Sequence, residues 1–590
     1  IHLDDLHQKI SGKETITYHN QSPDALAYLW LQLDQNQIAE GSDTYSTQTG
    51  TIDARVTPGQ LARLDNDRVA DRGDNIVKVT DAKGTPLPFT INKTMMRVDL
   101  PQPLASGASY VFNVEWWYNI NDRMKEGGRS GYEYFPKDSN YLYAIAQFFP
   151  RMCVYDDING WQHKQFLGSG EFTLVFGDYD VKITVPSDHA VAATGLLQNA
   201  KEVLTKAQMD RYAQAQKSYQ EPVKIITNEE ALKNESSRAT TEKTWHFKAT
   251  NVRDFAFASS RKFIWDAMAV KQSESPDVLA MSMYPKEGNP LWEMYSTKVI
   301  AHTLHWYSHY TFDFPYPVAW SIHTDRIGME YPMMAFNGGR PNEDGTYSKG
   351  TKYGMIGVII HEVGHNYFPM IINSDERQWT WMDEGLNTFI QFLTEQQWER
   401  DYPSGRGPAF KIVDYMKAEP DQLEPIMSNS ENIKQLGSNA YAKTATALNI
   451  LRETIMGRDL FDKAFKEYAM RWKFKHPSPA DFFRTMEDAS GVDLDWFWRG
   501  WFFGTEPCDI EIADVKWQRA DKPEDPAMMS YEEKFVETNP QGISSERNRT
   551  AIAQTQDEID RSLRDKYTEE DEKQLAKETY EKNVAQLNPE

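Results

Sequence analysis

The stretch HEVGHNYFP, His361 to Pro369, places two histidines four residues apart with a glutamate directly after the first. On a helix, residues four apart share a face, so His361 and His365 can aim ring nitrogens at one ion. Zinc accepts such nitrogens at about 2.0–2.1 Å and keeps a position open for water when three protein ligands bind. Glu362 stands one residue off that face, where it reaches the water as a general base but does not ligate. Eighteen residues separate His365 from Glu384 in WTWMDEGLNTF, and an antiparallel pair of helices would return that glutamate to the histidines as third ligand. The flanking GMIGVII and YFPMII make the first helix a buried one. Three polar side chains buried there without a partner would cost several kcal/mol, and a metal removes that cost. One Zn2+ per chain is therefore expected.

The chain also holds its own control. His305 and His309 are four apart in HWYSH, with no carboxylate between them, and read as packing or surface histidines.

The elements that must position these residues follow from pattern. Residues 1–250 are expected to be a β-rich domain, because GKETITYHN, YVFNVEWWYNI and EFTLVFGDYDVKITVP alternate apolar and polar residues between Gly, Asn, Asp and Pro. A charged insert at about 200–245 reads as an exposed helix followed by loop. Residues 251–505 change to helical periods, in LWEMYSTKVIAHTLHWYSHY, YGMIGVIIHEVGHNYF, MDEGLNTFIQFLTEQQWER, NAYAKTATALNILRETIM and LFDKAFKEYAMRW. Between the first two of these, SIHTDRIGMEYPMMAF is short, aromatic and Pro-bounded, which suits an edge strand. Residues 506–590 should begin with a strand, CDIEIADVKW, and continue as a polar helical tail poor in core residues.

Bulk properties bound the function. At 590 residues the chain exceeds one core, and hydrophobic and aromatic contents of 40% and 13% supply material for several. The formal charge, 64 − 87 = −23, argues against a nucleic-acid or anionic-membrane partner, whose phosphates need clustered Lys and Arg. Two cysteines, Cys153 and Cys508, build neither a disulfide framework nor a thiolate metal site. No run of about 18 apolar residues offers a transmembrane segment. The chain starts at Ile1 in an alternation already under way. The true start is thus expected to lie upstream, where a signal peptide would not be visible, and a periplasmic or secreted location is the expectation.

HExxH followed by eighteen residues and a glutamate resembles the gluzincin metallopeptidases, and the chain is similar to the aminopeptidase N family, which includes the leukotriene hydrolases. IGMEYP, with Gly328, Met329 and Glu330, resembles the family's Gly-x-Met-Glu-Asn strand, whose glutamate binds the substrate's free α-amino group. NAYAKTATALNIL resembles its Tyr-x-Lys helix, which makes Tyr441 the transition-state donor. FFPRMCVYDDINGW and GDYDVKITVPSDHAVAATG resemble the end of its N-terminal β-domain, so the likeness runs from about residue 5 to 515. The resemblance implies a multi-domain α+β fold: an N-terminal β-sandwich or saddle domain, then a thermolysin-like, mostly helical zinc catalytic domain. It also implies aminopeptidase activity on peptides with a free N-terminus. Departures are Tyr331 for the family's Asn, Asp383 for the usual Asn before the third ligand, and Gln391 for a frequent Glu. Gln147 is the nearest candidate for the N-terminal domain's amine-binding Gln. A thermolysin-type zinc endopeptidase would share the zinc ligands without needing an amine anchor. A non-enzymatic peptide-binding protein would not need ligands, base and oxyanion donor together.

Overall fold

The computed structural model describes residues 1–47, 57, 72–168, 170–507, 515, 542–568, 573 and 577. The architecture is α+β, with sheets dominating the first half and helices the second. A seven-stranded sheet runs in the order Leu196–Leu197, Glu242–Val252, Gly177–Pro186, His2–Asp4, Lys9–His19, Ser109–Asn119, Asn75–Asp81. Its period-two pattern is visible in Ser109–Asn119, where Phe112, Val114, Trp116 and Tyr118 are buried and the residues between them are not. Beyond it, strands Leu26–Gln32 and Met95–Leu104 enclose a small core of their own with Leu29, Leu31, Val98 and buried Cys153.

Strand Phe257–Ser260 still pairs with the N-terminal strands Ala190–Ala193 and Asn140–Ile145, whereas Ile264–Val270 opens a different, six-stranded sheet. That sheet is mixed, in the order Val223–Ile226, Ile264–Val270, Val278–Tyr284, Val318–His323, Met334–Asn337, Gly328–Tyr331. Two findings depart from expectation. The insert is not a helix and loop alone: between helices Lys206–Ala215 and Asn228–Ser236 it adds Val223–Ile226 to the edge of this sheet. The segment expected as one edge strand supplies three, and Gly328–Tyr331 is the edge. Turn residues at 324–327 and 332–333 divide it.

Helices Thr297–Tyr310, Lys349–Gly364 and Leu386–Trp398 pack under the sheet in one continuous core with the N-terminal strands. Lys349–Gly364 is apolar nearly all round, as a helix buried on every side must be. The expected strand CDIEIADVKW, with Cys508, lies outside the described residues apart from Val515. Residues 543–568 lie against the helices through polar contacts. Lys352 Nζ meets Asp565 Oδ1 at 2.9 Å, Lys298 Nζ meets Asp560 Oδ2 at 2.7 Å, and Arg400 meets Glu558 through two bonds of 2.9 Å. No helix among the described residues is long and apolar enough to cross a membrane.

Candidate metal centre

The helix Lys349–Gly364 ends at the histidines. Its start is capped by Ser348, whose hydroxyl accepts from Thr351 N at 3.0 Å. Glu384 comes from the π-helical turn Trp381–Gly385 at the head of Leu386–Trp398, and Tyr441 from a second π-helical turn, Gly437–Lys443. Such turns shift the register of a helix and re-aim single side chains. The two turns touch at Gly385, where a Cβ would overlap the Thr444 side chain and the Ala440 carbonyl.

His361, His365 and Glu384 converge as expected. Nε2 of His361 is 3.0 Å from Glu384 Oε2 and 3.0 Å from Nε2 of His365, which is 3.3 Å from the same carboxylate oxygen. Their outer nitrogens are engaged elsewhere. His361 Nδ1 faces Gln391 Oε1 at 2.9 Å, and the amide's orientation is fixed because its Nε2 donates to Gly357 O and Glu395 Oε1. His365 Nδ1 faces Phe368 O at 2.8 Å and Asp383 Oδ1 at 3.1 Å. With both Nδ1 atoms donating, both Nε2 lone pairs and a carboxylate oxygen point at one another. Three acceptors converging on one point suit a cation, and His, His and Glu are a ligand set that zinc accepts. The residues fit zinc. Outer contacts of this kind orient ligating histidines and tune the metal.

Glu362 is 5% exposed, and its Oε2 has no hydrogen-bond partner. Strand Gly328–Tyr331 lies against it so closely that a Cβ on Gly328 would overlap its carboxylate. Glu330, 3% exposed, groups with Glu362 and His365, their ligand atoms within 4.8 Å of one another. Met329 points from the other face of the strand, its sulfur 3.5 Å from Arg129 Nη1, so of the three strand residues singled out only Gly328 and Glu330 face the centre. Tyr331 is 1% exposed and accepts from Gln147 Nε2 at 2.6 Å, which ties the residue standing for the family's Asn to the N-terminal domain. Tyr441 donates to Glu384 Oε1 and stacks on His361 with ring centroids 5.8 Å apart. His305 and His309 are exposed and pack around Trp306, away from any metal-competent group among the described residues.

The electrostatics follow from burial. Burial pushes the Glu362 carboxyl well above its ordinary pKa, and the charges of Glu330, Glu384 and Asp383 add to the shift. Against its own burial, His365 is pushed up by Glu330, Glu384 and Asp383. Burial and Glu384 raise the Tyr441 hydroxyl well above its usual value, so it stays protonated and donates. Two acids escaped the sequence reading: Glu171 and Glu376 group with Glu330 within 4.8 Å. Arg129 pairs with Glu171 and Arg253 with Glu376. They stand on loops with no spacing relation to the metal motif, so only tertiary structure brings them in.

Residues 295–501 match the model of the peptidase family M1 domain. That stretch resembles an M1 peptidase domain. The M1 zinc metallopeptidase of Deinococcus radiodurans superposes with a TM-score of 0.55 at 14% identity, over 88% of this chain and 94% of that one, which shows the shared fold. Glutamyl aminopeptidase of Sus scrofa is 23% identical over 167 residues, 26% of this chain and 17% of its own length. Alanine/arginine aminopeptidase of Saccharomyces cerevisiae is 23% identical over 145 residues, 23% of this chain and 17% of its own length. The M1 match contains every metal-competent residue of the centre, together with Glu362, Tyr441 and the strand of Glu330.

Proposed function

We propose that this protein is a zinc aminopeptidase that hydrolyses the N-terminal peptide bond of peptides. The observation that carries the reading is the convergence of His361, His365 and Glu384, with Glu362 and Glu330 packed against the same point. A bound zinc supplies Lewis acidity, polarising a carbonyl and lowering the pKa of a water to near neutrality. Glu362 accepts the proton of the attacking water and hands it to the leaving amine. The Tyr441 hydroxyl, held at Glu384, turns its hydrogen to the oxyanion as charge develops there. Glu330 receives the substrate's α-ammonium, whose burial needs a carboxylate partner. Because Glu330 lies beside Glu362 and His365, a docked ammonium sets the first peptide bond over the centre and leaves no room for residues upstream.

This amine anchor is what favours an aminopeptidase over an endopeptidase with the same ligands. The test is metal analysis alongside hydrolysis of an aminoacyl chromogenic substrate. One zinc per chain, removed by a strong chelator together with the activity, is the expected result. His361→Ala, His365→Ala and Glu384→Ala should each lose the metal, and His305→Ala should keep it. Full zinc occupancy in all three ligand variants would remove the assignment.

A further inference from the structure

Beside Tyr441 stands a cation that the proposed reaction does not use. Arg406 is half-buried, with its guanidinium carbon 4.3 Å from the centre of the Tyr441 ring. Among the described residues that ring is its one close partner, and no carboxylate pairs with it. The loop holds it there from both sides. Ser404 donates to Glu395 Oε2 at 2.5 Å and contacts Gln396 Nε2 at 3.1 Å. Gly407 has φ +108° and lies on the Phe392 ring, where a Cβ would overlap the ring carbons, so glycine is required. The nearby Glu395 is already satisfied, with Oε1 accepting from Gln391 at 2.7 Å and Oε2 from Ser404. A guanidinium fixed in this way, drawn partly out of water and without an anion among the described residues, is suited to an anion that arrives with the substrate.

The order of groups says which part of the substrate that is. Glu330 sits with Glu362 and His365, and His365 with His361 and Glu384. Tyr441 follows, stacked on His361 and bonded to Glu384, and Arg406 lies on Tyr441. The succession of contacts thus runs from a carboxylate through the metal ligands to a guanidinium. A residue of extended peptide spans about 3.5 Å. A carboxylate one or two residues beyond the scissile carbonyl therefore reaches a cation that lies one aromatic ring from the oxyanion donor.

We propose that Arg406 binds a substrate carboxylate on the leaving-group side of the scissile bond, so that the preferred substrates are short zwitterionic peptides held at both ends, ammonium on Glu330 and carboxylate on Arg406. The proposal rests on the aminopeptidase reading. A guanidinium meets a carboxylate with two parallel N–H···O bonds, which a lysine cannot reproduce. The carboxylate comes either from the C-terminus of a di- or tripeptide or from an acidic side chain just after the cleaved bond, and the two sources share one chemistry.

The test compares kcat/KM of the zinc-loaded protein for tri-alanine, for tri-alanine amide, and for the amide with aspartate at its second position. Wild type should favour either carboxylate-bearing peptide over the plain amide by about tenfold or more. In Arg406→Ala that ratio should fall to near one, and Arg406→Lys should keep only part of it. The ratio is taken within each variant, so a change in overall rate through Tyr441 cancels. Equal rates on acid and amide in wild type, or an undiminished ratio in Arg406→Ala, would overturn the role of Arg406 alone. Failure of wild type to cleave any of the peptides would instead overturn the aminopeptidase reading, and this proposal with it.

Discussion

The roles proposed for Glu362 and Tyr441 fall at different moments of the reaction, and substitutions separate them. Glu362→Gln keeps the shape and the neighbours but cannot accept a proton, so zinc content should stay at one per chain while turnover is nearly lost. Retained turnover in the loaded variant would remove Glu362 as the base. Tyr441→Phe deletes one oxyanion donor. Its kcat should fall about 10²–10³-fold with KM little changed, because the bond is made in the transition state and not in the ground state. A kcat equal to wild type would take Tyr441 out of the site. Glu362 was legible because helical period and motif spacing fix where it stands relative to the two histidines, and Tyr441 through the resemblance of NAYAKTATALNIL to the family's Tyr-x-Lys helix. Glu171, Glu376 and Arg406 were not. Each lies on a loop, where the distance to the metal is set by packing and has no counterpart in residue spacing. Gln391 marks the boundary between the two cases. It stands seven residues past Glu384 on the same helical run and reaches His361, but as an amide it gave no signal of a charged partner.

At the scale of elements, the two π-helical turns and the residues 543–568 carry the unexpected content. A π turn leaves no mark in hydrophobic period, since it adds one residue to a helix whose apolar face otherwise continues. Residues 543–568 are poor in apolar residues, and a reading by core content saw only a polar tail. They are held instead by ion pairs and hydrogen bonds to the helices that carry the site. The Lys352 side chain is fully buried on the metal helix, and Asp565 against it is 6% exposed. Removing Lys352 takes the cation from Asp565 and from Glu399, whose Oε2 lies 3.6 Å from Nζ, and breaking such a buried pair costs about 3–5 kcal/mol. Lys352→Ala should therefore lower the thermal midpoint by several degrees and open residues 543–568 to protease before the rest of the chain. A melting curve and digestion pattern identical to wild type would show that the strap is not held through Lys352. The strand Val223–Ile226 was missed for a similar reason: four residues between two charged helices are too few for an alternation to register.

For the whole molecule, the α+β division was readable because the dominant period changes from two residues to 3.6 from about residue 251. The seam between the halves was not. Asp34, Arg151 and Asp254 form a buried ion cluster, with 2.5 Å from Arg151 Nη1 to Asp254 Oδ2. Glu376 accepts from Phe172 N at 3.0 Å, and Arg377 Nη2 donates to Gln32 Oε1 at 3.1 Å. These contacts lock the segment around Phe172 between the N-terminal sheets and the loop after the metal helix, and they bring Glu171 to Glu330. The N-terminal half thereby stands against Glu330, the proposed anchor of a substrate's first residue, which under the proposed function favours trimming ends over cutting interiors. The direct test is to digest one peptide with a free N-terminus and its N-acetylated twin with the zinc-loaded protein and to weigh the products. The free peptide should yield a ladder of species each shorter by its N-terminal residue, the acetylated one should remain intact, and a chelator should abolish the ladder. Internal fragments from the acetylated peptide, or a ladder that survives removal of the metal, would contradict a zinc aminopeptidase built on His361, His365 and Glu384.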